Sequence, residues 1–322
     1  MASAFPYYSP NRIQADLARL DAAPRKRWGQ CFLVEGGLVA NMADRIAAAA
    51  REHGGAILEI GPGLGARSWA LLERSASMVA VEIDPAMSRI LADLTANAPG
   101  LPDESAFYLH TGDARDALQD LRAPDGELRS AVLRRSADSE SETVGEAEHV
   151  LRAGETRVLC GNLPYYITSE LLTASARLPG LQAGFFLTQL EFADRIVAAD
   201  ARSSLNVFLR NFGEWRQVLR LKASAFFPRP RVDSAFIEYR AHPDGPRTDP
   251  EVLEGLLRMS FGARRKKLAN SWKQDRRALL DFNTLMAAAG EADVDPNARA
   301  EAVPVDRFFA LSEAYLRLSG SR

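Results

Sequence analysis

A doubly wound α/β domain followed by a small helical domain is the fold class that this sequence predicts. Short, near-continuously apolar runs alternate with segments of helical period through residues 36–240. A glycine-rich turn, LEIGPGLG (Leu58–Gly65), joins the first of those runs to a helix. After Pro243–Pro250 (PDGPRTDP), which reads as a linker, only helical patterns remain. Alternation of this kind is the signature of a parallel sheet covered by helices on both faces.

Five runs qualify as strands: AILEI (56–60), MVAVEI (78–83), AFYLH (106–110), RVLC (157–160) and GFFLTQ (184–189). Between them GGLVANMADRIAAAARE and PAMSRILADLTANA repeat apolar residues at helical spacing. VLRLKASAFFP and DSAFIEYRAH come late and close together, which suggests an antiparallel pair at the sheet edge. The predicted domains are an N-terminal closing segment (1–35), the α/β domain (36–242) and a helical C-terminal domain (250–322). Residues 123–155 interrupt the pattern. Their Ser, Glu and Asp content and weak apolar period predict a flexible insertion.

Composition narrows the class. The chain has 322 residues, too many for one core of ordinary size, so a second domain is expected. No apolar run approaches the ~20 residues of a membrane span, and no signal-peptide pattern opens the chain. Cys31 and Cys160 have no metal-ligand spacing partners, so neither a metal site nor a disulfide framework is expected, and a reducing cytoplasm is the default. The formal charge is only −2, yet basic residues cluster at Pro24–Trp28, Arg229–Arg231 and Arg264–Lys267. Local positive potential, rather than the total, governs phosphate binding.

Gly61 and Gly63 let the backbone turn sharply and approach a ligand. With Ala66 the run also satisfies the dinucleotide pattern G-x-G-x-x-G/A. Glu59, directly before the turn, suits a cationic amino group better than a pyrophosphate, and no second Rossmann half follows. A ligand that carries both an adenosine and an ammonium, S-adenosylmethionine, fits better. Glu82 ends the second strand and can accept both ribose hydroxyls. Asp113 follows the third strand, where its oxygen can accept from the adenine amino group. Three such positions at successive strand ends together point to a cofactor site.

The fourth strand end carries CGNLPYYITSELL (160–172). A base amine is a poor nucleophile because its lone pair is delocalised into the ring. The Asn162 amide oxygen and a backbone carbonyl, of Leu163 or Pro164, can each accept one N–H, aligning the lone pair and stabilising the amine as it becomes tetrahedral. Pro164 fixes the turn, Tyr165 offers a stacking face for a base, and Tyr166 reads as packing.

The chain resembles the small-subunit (16S) rRNA adenine N6-dimethyltransferase family. The matching stretches are RKRWGQCFL (25–33), LEIGPGLG, VEID, GDA (112–114), NLPYYITSELL, SAFFPRPRVDS (224–234) and FGARRKKLANSW (261–272), in family order over nearly the whole chain. The resemblance implies a Rossmann-like class I methyltransferase domain, S-adenosylmethionine as cofactor, and rRNA of the immature small subunit as substrate. It places Cys31, Leu33, Gly61, Glu82, Asp113 and Asn162 against the cofactor, beside the Glu59 and Gly63 that the glycine loop itself suggests. It gives Asn162 and Tyr165 to the target adenine, with Phe226 on the base's other face, beside the Leu163 and Pro164 already singled out at the strand end. Arg229, Arg231, Arg264, Arg265, Lys266 and Lys267 would contact RNA phosphates. The helical C-terminal domain and Leu163 favour this family over the related 23S rRNA enzymes. A monomer is expected.

Three positions depart from the family pattern. Cys31 stands where Asn or His is usual, so one cofactor contact is expected to be lost or moved to the backbone. Glu170 replaces a proline at a helix start, where an acid suits the helix dipole. Leu190 replaces a lysine. These departures motivate the rival reading, a non-catalytic RNA-binding assembly factor of the same fold. Methylation of large-subunit rRNA is a third reading.

Overall fold

The computed structural model describes residues 5–19, 23–24, 29–74, 76–96, 101–134, 148–263, 265–274 and 279–320. These fall into two compact units, Met1–Leu190 with Gln217–Tyr239, and Glu191–Arg216 with Arg240–Arg322.

The first unit opens with helix α1 (Pro10–Arg19) and a two-residue strand β1 (Phe32–Leu33). Helices and strands then alternate: α2 (Gly36–His53), β2 (Ala56–Ile60), α3 (Ala66–Leu72), β3 (Ser77–Glu82), α4 (Pro85–Ala96), β4 (Ala106–Thr111) and α5 (Ala114–Arg122). Strands β5 (Glu127–Arg134), β6 (Glu148–Arg152) and β7 (Thr156–Asn162), helix α6 (Thr168–Ala176) and strand β8 (Ala183–Gln189) follow. Further along come α7 (Leu190–Val197), α8 (Ser204–Arg210), β9 (Gly213–Leu221), β10 (Phe226–Phe227) and β11 (Ser234–Ala241).

The main sheet runs β6-β5-β4-β3-β2-β7-β8-β11-β9. The pairs β4–β3, β3–β2, β2–β7 and β7–β8 are parallel. From β2 the chain first builds outward through β3 and β4, then returns to place β7 on the other side of β2. That reversal is the switch point at which open α/β sheets bind ligands. The core strands are apolar because both faces are covered: Ile57, Leu58, Val79, Ala80, Val158, Leu159, Phe185 and Phe186 are all buried. In α2, Val39, Met42, Ala43, Ile46 and Ala47 recur at helical spacing and form its buried stripe.

The expected flexible insertion is corrected in part. Residues 127–134 and 148–152 form β5 and β6, antiparallel to each other, with β5 antiparallel to β4. From Glu127 to Val132 exposed and buried residues alternate, as in a sheet with one solvated face. The charged face of that alternation gives the stretch its polar composition. Residues 135–147 lie outside the described part.

The second unit carries α7, α8 and the helices α9 (Pro250–Phe261), α10 (Leu268–Gln274), α11 (Phe282–Glu291) and α12 (Val305–Gly320). The Asp249 side chain caps α9 by accepting from the amides of Glu251 and Val252 at 2.9 Å each. The stretch before it, which reads as a linker, is tied down. Asn211 donates to the Thr248 carbonyl (3.0 Å) and its side-chain oxygen accepts from the Thr248 amide (2.9 Å).

Candidate active site

A cavity in the first unit opens at the carboxyl ends of β2, β3, β4 and β7, with the predicted residues at each strand end on its wall. After β2, Gly61 (φ 63°), Gly63 (φ 58°) and Gly65 (φ 83°) all adopt left-handed backbone. A side chain at Gly63 would have its Cβ 3.2 Å from the Phe32 ring. Three of the loop's amides are spent inside the protein. Gly61 donates to the Val81 carbonyl and Gly65 to the Pro62 carbonyl, both at 2.9 Å, while Gly63 donates to the Glu82 carboxylate at 2.9 Å. A pyrophosphate needs those donors free and would face Glu59, Glu82 and Asp113 across the cavity. A dinucleotide does not fit this wall.

Glu82 is 3% exposed. Its oxygens accept from the amides of Gly63 (2.9 Å) and Asp84 (2.8 Å). Burial nevertheless pushes its carboxyl up to about 7, against the lowering effect of those amides. A buried acid with acceptor capacity left is suited to a pair of ligand hydroxyls. Asp113 caps α5 through the Arg115 amide (2.9 Å) and is gripped by the Arg115 guanidinium at 2.5–3.1 Å. That contact holds its carboxyl below the usual range.

Glu59 lies deeper than the sequence suggests. It is fully buried, accepting from Arg67 Nε (2.8 Å) and Ser68 Oγ (2.5 Å), with Arg67 Nη2 also 2.8 Å away. Arg67 is buried too, and burial pushes the Cys160 thiol up to about 12, against the lowering effect of the Arg67 charge. Both Glu59 and Arg67 reach the cavity wall.

Asn162, the last residue of β7, donates Nδ2–H to the Cys31 carbonyl at 3.0 Å. This fixes the amide so that Oδ1 is left over as an acceptor. The Pro164 carbonyl is already taken by the Ile167 amide (3.2 Å) and Thr168 Oγ1 (2.8 Å). The Leu163 amide donates to the Leu187 carbonyl (3.0 Å), and the Leu163 carbonyl accepts no hydrogen bond among the described residues. Of the two candidate carbonyls, that of Leu163 is therefore the one available.

The N-terminal segment covers the cavity. Phe32 and Leu33 pair antiparallel with Phe227 and Phe226, and the Val34 amide donates to the Ala225 carbonyl at 2.9 Å. Gln30 donates to Asp84 at 3.0 Å. Phe5 and Tyr7 complete the wall, with Phe5 packed edge-on against Tyr8 and tilted against Trp69. The sequence reading missed these two aromatics and Arg67, although the FPYYSP cluster (5–10) is an apolar signal ahead of a helix.

Two aromatic assignments change. Tyr166, read as packing, is 60% exposed and lines the cavity, because the tight turn from Pro164 to Ile167 sends successive side chains to opposite sides. Tyr165 is 37% exposed, off that wall, with its hydroxyl 3.5 Å from Ser234 Oγ. Phe226 is 5% exposed and sits in the core, paired with Leu33, so its ring presents no open face.

Of the basic residues, Arg229 and Arg231 are exposed on the first unit, and Arg265, Lys266 and Lys267 on the second. Lys266 bonds Gln274, and Lys267 reaches Asn297 at 3.4 Å. Arg264 and the 25–28 cluster lie outside the described residues. Glu170 sits exposed in the first turn of α6, 3.9 Å from Arg115, and the Leu190 amide donates to the Asp233 carbonyl.

The model of the ribosomal RNA adenine dimethylase family matches residues 22–101 and 137–316. The chain belongs to the ribosomal RNA adenine dimethylase family. The matched spans hold the glycine loop, Glu82 and Asn162, while Asp113 and Arg115 fall in the unmatched stretch 102–136. Ribosomal RNA small subunit methyltransferase A of Phenylobacterium zucineum is 34% identical over 300 residues, covering 91% of this chain and 88% of that one. The protein of the same name from Deinococcus radiodurans is 31% identical over 312 residues, covering 96% and 91%. Among solved structures, a dimethyladenosine transferase from Plasmodium falciparum superposes with a TM-score of 0.61 at 19% identity, covering 87% of this chain and 96% of that one. The 23S rRNA methyltransferase ErmE gives 0.57 at 22%, covering 88% and 98%. At those identities the likeness shows the fold alone, a class I methyltransferase α/β sheet.

Proposed function

We propose that this chain is an S-adenosylmethionine-dependent rRNA adenine N6-dimethyltransferase acting on small-subunit rRNA during ribosome maturation. The observation that carries the reading is the Asn162 amide, oriented by the Cys31 carbonyl so that Oδ1 stands free near an unengaged Leu163 carbonyl. Two acceptors at a strand end, next to a cavity rich in acids, suit an exocyclic amine rather than a hydroxyl or an acid.

The cavity's donor and acceptor set fits the cofactor: a buried Glu82 for a ribose diol, Asp113 at the adenine end, and a glycine at 63 where a Cβ would crowd Phe32. When bound, S-adenosylmethionine supplies an electrophilic methyl group on a sulfonium. Asn162 Oδ1 and the Leu163 carbonyl each accept one N–H of the adenine amine, turning its lone pair out of conjugation and stabilising the positive charge that develops. Tyr165, half-exposed beside them, offers a stacking face worth ~1–3 kcal/mol to an extruded base. No strong general base is required, because the amine's proton leaves to water after transfer. Arg229, Arg231, Arg265, Lys266 and Lys267 are assigned to RNA phosphates. The immature small subunit in the cytoplasm is the expected setting.

The test is methyl transfer to immature small subunits, with mapping of N6-dimethyladenosine in a deletion strain. Loss of dimethyladenosine from small-subunit rRNA, and an Asn162→Ala chain unable to restore it, are the expected results. Dimethyladenosine missing from large-subunit rRNA instead would redirect the substrate, and undiminished turnover by Asn162→Ala would refute the site.

A further inference from the structure

The end of β4 carries a side chain that no motif singled out. Gly112, Asp113 and Ala114 line the cavity there, and the next residue, Arg115, is not among the described wall residues but folds back onto Asp113. Its amide donates to Asp113 Oδ1 at 2.9 Å, its Nε to both carboxylate oxygens at 3.1 Å, and its Nη2 to Oδ2 at 2.5 Å. The Asp113 side chain is 19% exposed and that of Arg115 45%. We propose that Arg115 is a positioning residue for the adenine end of the cofactor site: by fixing Asp113 as a pure acceptor, it makes the site select a 6-amino purine over a 6-oxo one.

The hydrogen-bond inventory leaves room for the ligand. Three N–H groups, one of them shared between the two oxygens, serve a carboxylate that has about four acceptor sites, so one site remains. Together they fix the plane of the carboxylate before a ligand arrives. The guanidinium's hydrogen bonds also hold the Asp113 carboxyl below its usual range, so near neutral pH it offers lone pairs and no proton. Adenine brings an N–H at its sixth position to that acceptor. A 6-oxo base brings an oxygen instead, and two acceptors set face to face repel. A carboxylate free to swing away, or to take up a proton and donate, would admit the 6-oxo base. Selection therefore depends on the grip and not on the aspartate alone. Glu170, 3.9 Å from Arg115 Nη1, is a looser and exposed contact that the grip does not need.

This inference rests on the reading of the cavity as an S-adenosylmethionine site with Asp113 at its adenine end, and the experiment separates the two. The full chain is titrated calorimetrically with S-adenosylhomocysteine and with S-inosylhomocysteine, its 6-oxo counterpart. Both carry the same ribose and amino-acid end, so every contact to those parts cancels in the ratio of affinities. The unaltered chain is expected to prefer the adenosyl ligand by about tenfold or more. Arg115→Met is expected to cut that preference by about fivefold or more, through weaker binding of S-adenosylhomocysteine. The backbone amide that Asp113 caps survives the substitution, so α5 keeps its start. An unchanged preference, including one left by equal weakening of both ligands, overturns the proposal. On an Asp113→Asn background the same substitution is expected to move the ratio by less than about twofold, because Arg115 has lost the group it acts through. A further loss of about fivefold on that background would show that Arg115 meets the ligand directly, and it overturns the positioning role. If the unaltered chain binds both ligands equally, Asp113 does not read the adenine and the proposal falls with that assignment. Failure to bind S-adenosylhomocysteine at all refutes the cofactor reading itself.

Discussion

The side chain of Asn162 and the backbone carbonyl of Cys31, 131 positions apart in sequence, meet at 3.0 Å. One hydrogen bond thereby fixes the orientation of the amide and ties the N-terminal segment to the end of β7. Because Cys31 contributes its carbonyl, the thiol that departs from the family pattern is not the group that matters at this contact. Asn162→Asp replaces the donor by an acceptor and sets a carboxylate against the carbonyl. It is expected to lower kcat/KM for methyl transfer by about 100-fold or more. Cys31→Ala leaves the bond intact and is expected to stay within about threefold of the parent. Comparable losses in the two variants, measured by methyl incorporation, would show that the thiol itself is needed.

Much of this was legible in the sequence, and the reason is local. Gly61, Glu82, Asp113 and Asn162 each stand at the end of an apolar run, and a parallel sheet necessarily gathers such ends on one side. What escaped the reading depends on contacts between distant segments. Phe5 reaches the cavity wall packed against Trp69, more than sixty positions away, and the Arg67–Glu59 pair is visible only once α3 follows β2 in space. Nothing in the SAFFPRP stretch distinguishes a buried Phe226 from an exposed one until its partner Leu33 is known. The β5–β6 hairpin was hidden for a compositional reason, its solvated face reading as part of the acidic stretch that follows.

Glu82 makes cofactor binding depend on pH. Burial raises its carboxyl from an ordinary 4.5 to about 7 in the ligand-free fold. Between those values the folded chain holds a proton that the unfolded chain has released, so Glu82's contribution to stability falls as pH rises through this window. Ligand hydroxyls donate to the carboxylate form and stabilise it, so binding expels the proton. Affinity for S-adenosylhomocysteine is therefore expected to weaken below pH ~7, by at most about tenfold per unit, with proton release on binding. Calorimetry in buffers of different ionisation enthalpy reads that proton directly. A flat affinity from pH 6 to 8 would mean that Glu82 does not meet donors.

The glycine at 63 is required by backbone as well as by space. Its φ of 58° is left-handed, and a Cβ there would sit 3.2 Å from the Phe32 ring. Gly63→Ala is expected to cost about 1–2 kcal/mol of stability in thermal unfolding. It should also weaken cofactor affinity, because the Gly63 amide holds the Glu82 carboxylate at 2.9 Å. A stable variant with unchanged affinity would show that the loop shifts without cost.

The resemblance sets a proline at the position of Glu170, and the start of α6 has room for either residue. The first α-helical bond into α6 is donated by the Leu171 amide to the Ile167 carbonyl at 3.0 Å, and the Glu170 amide makes no hydrogen bond among the described residues. Proline at that position removes no bond. What would be lost is the carboxylate's 3.9 Å approach to Arg115, an exposed contact, and Arg115 would keep Asp113. Against this stands a small strain on Ser169, whose helical backbone a following proline disfavours. Glu170→Pro is therefore expected to change stability by less than about 1 kcal/mol and methyl transfer by less than about threefold. Thermal unfolding and methyl incorporation, measured side by side, check both figures. A large loss of activity without a loss of stability would mean that Glu170 itself meets the substrate.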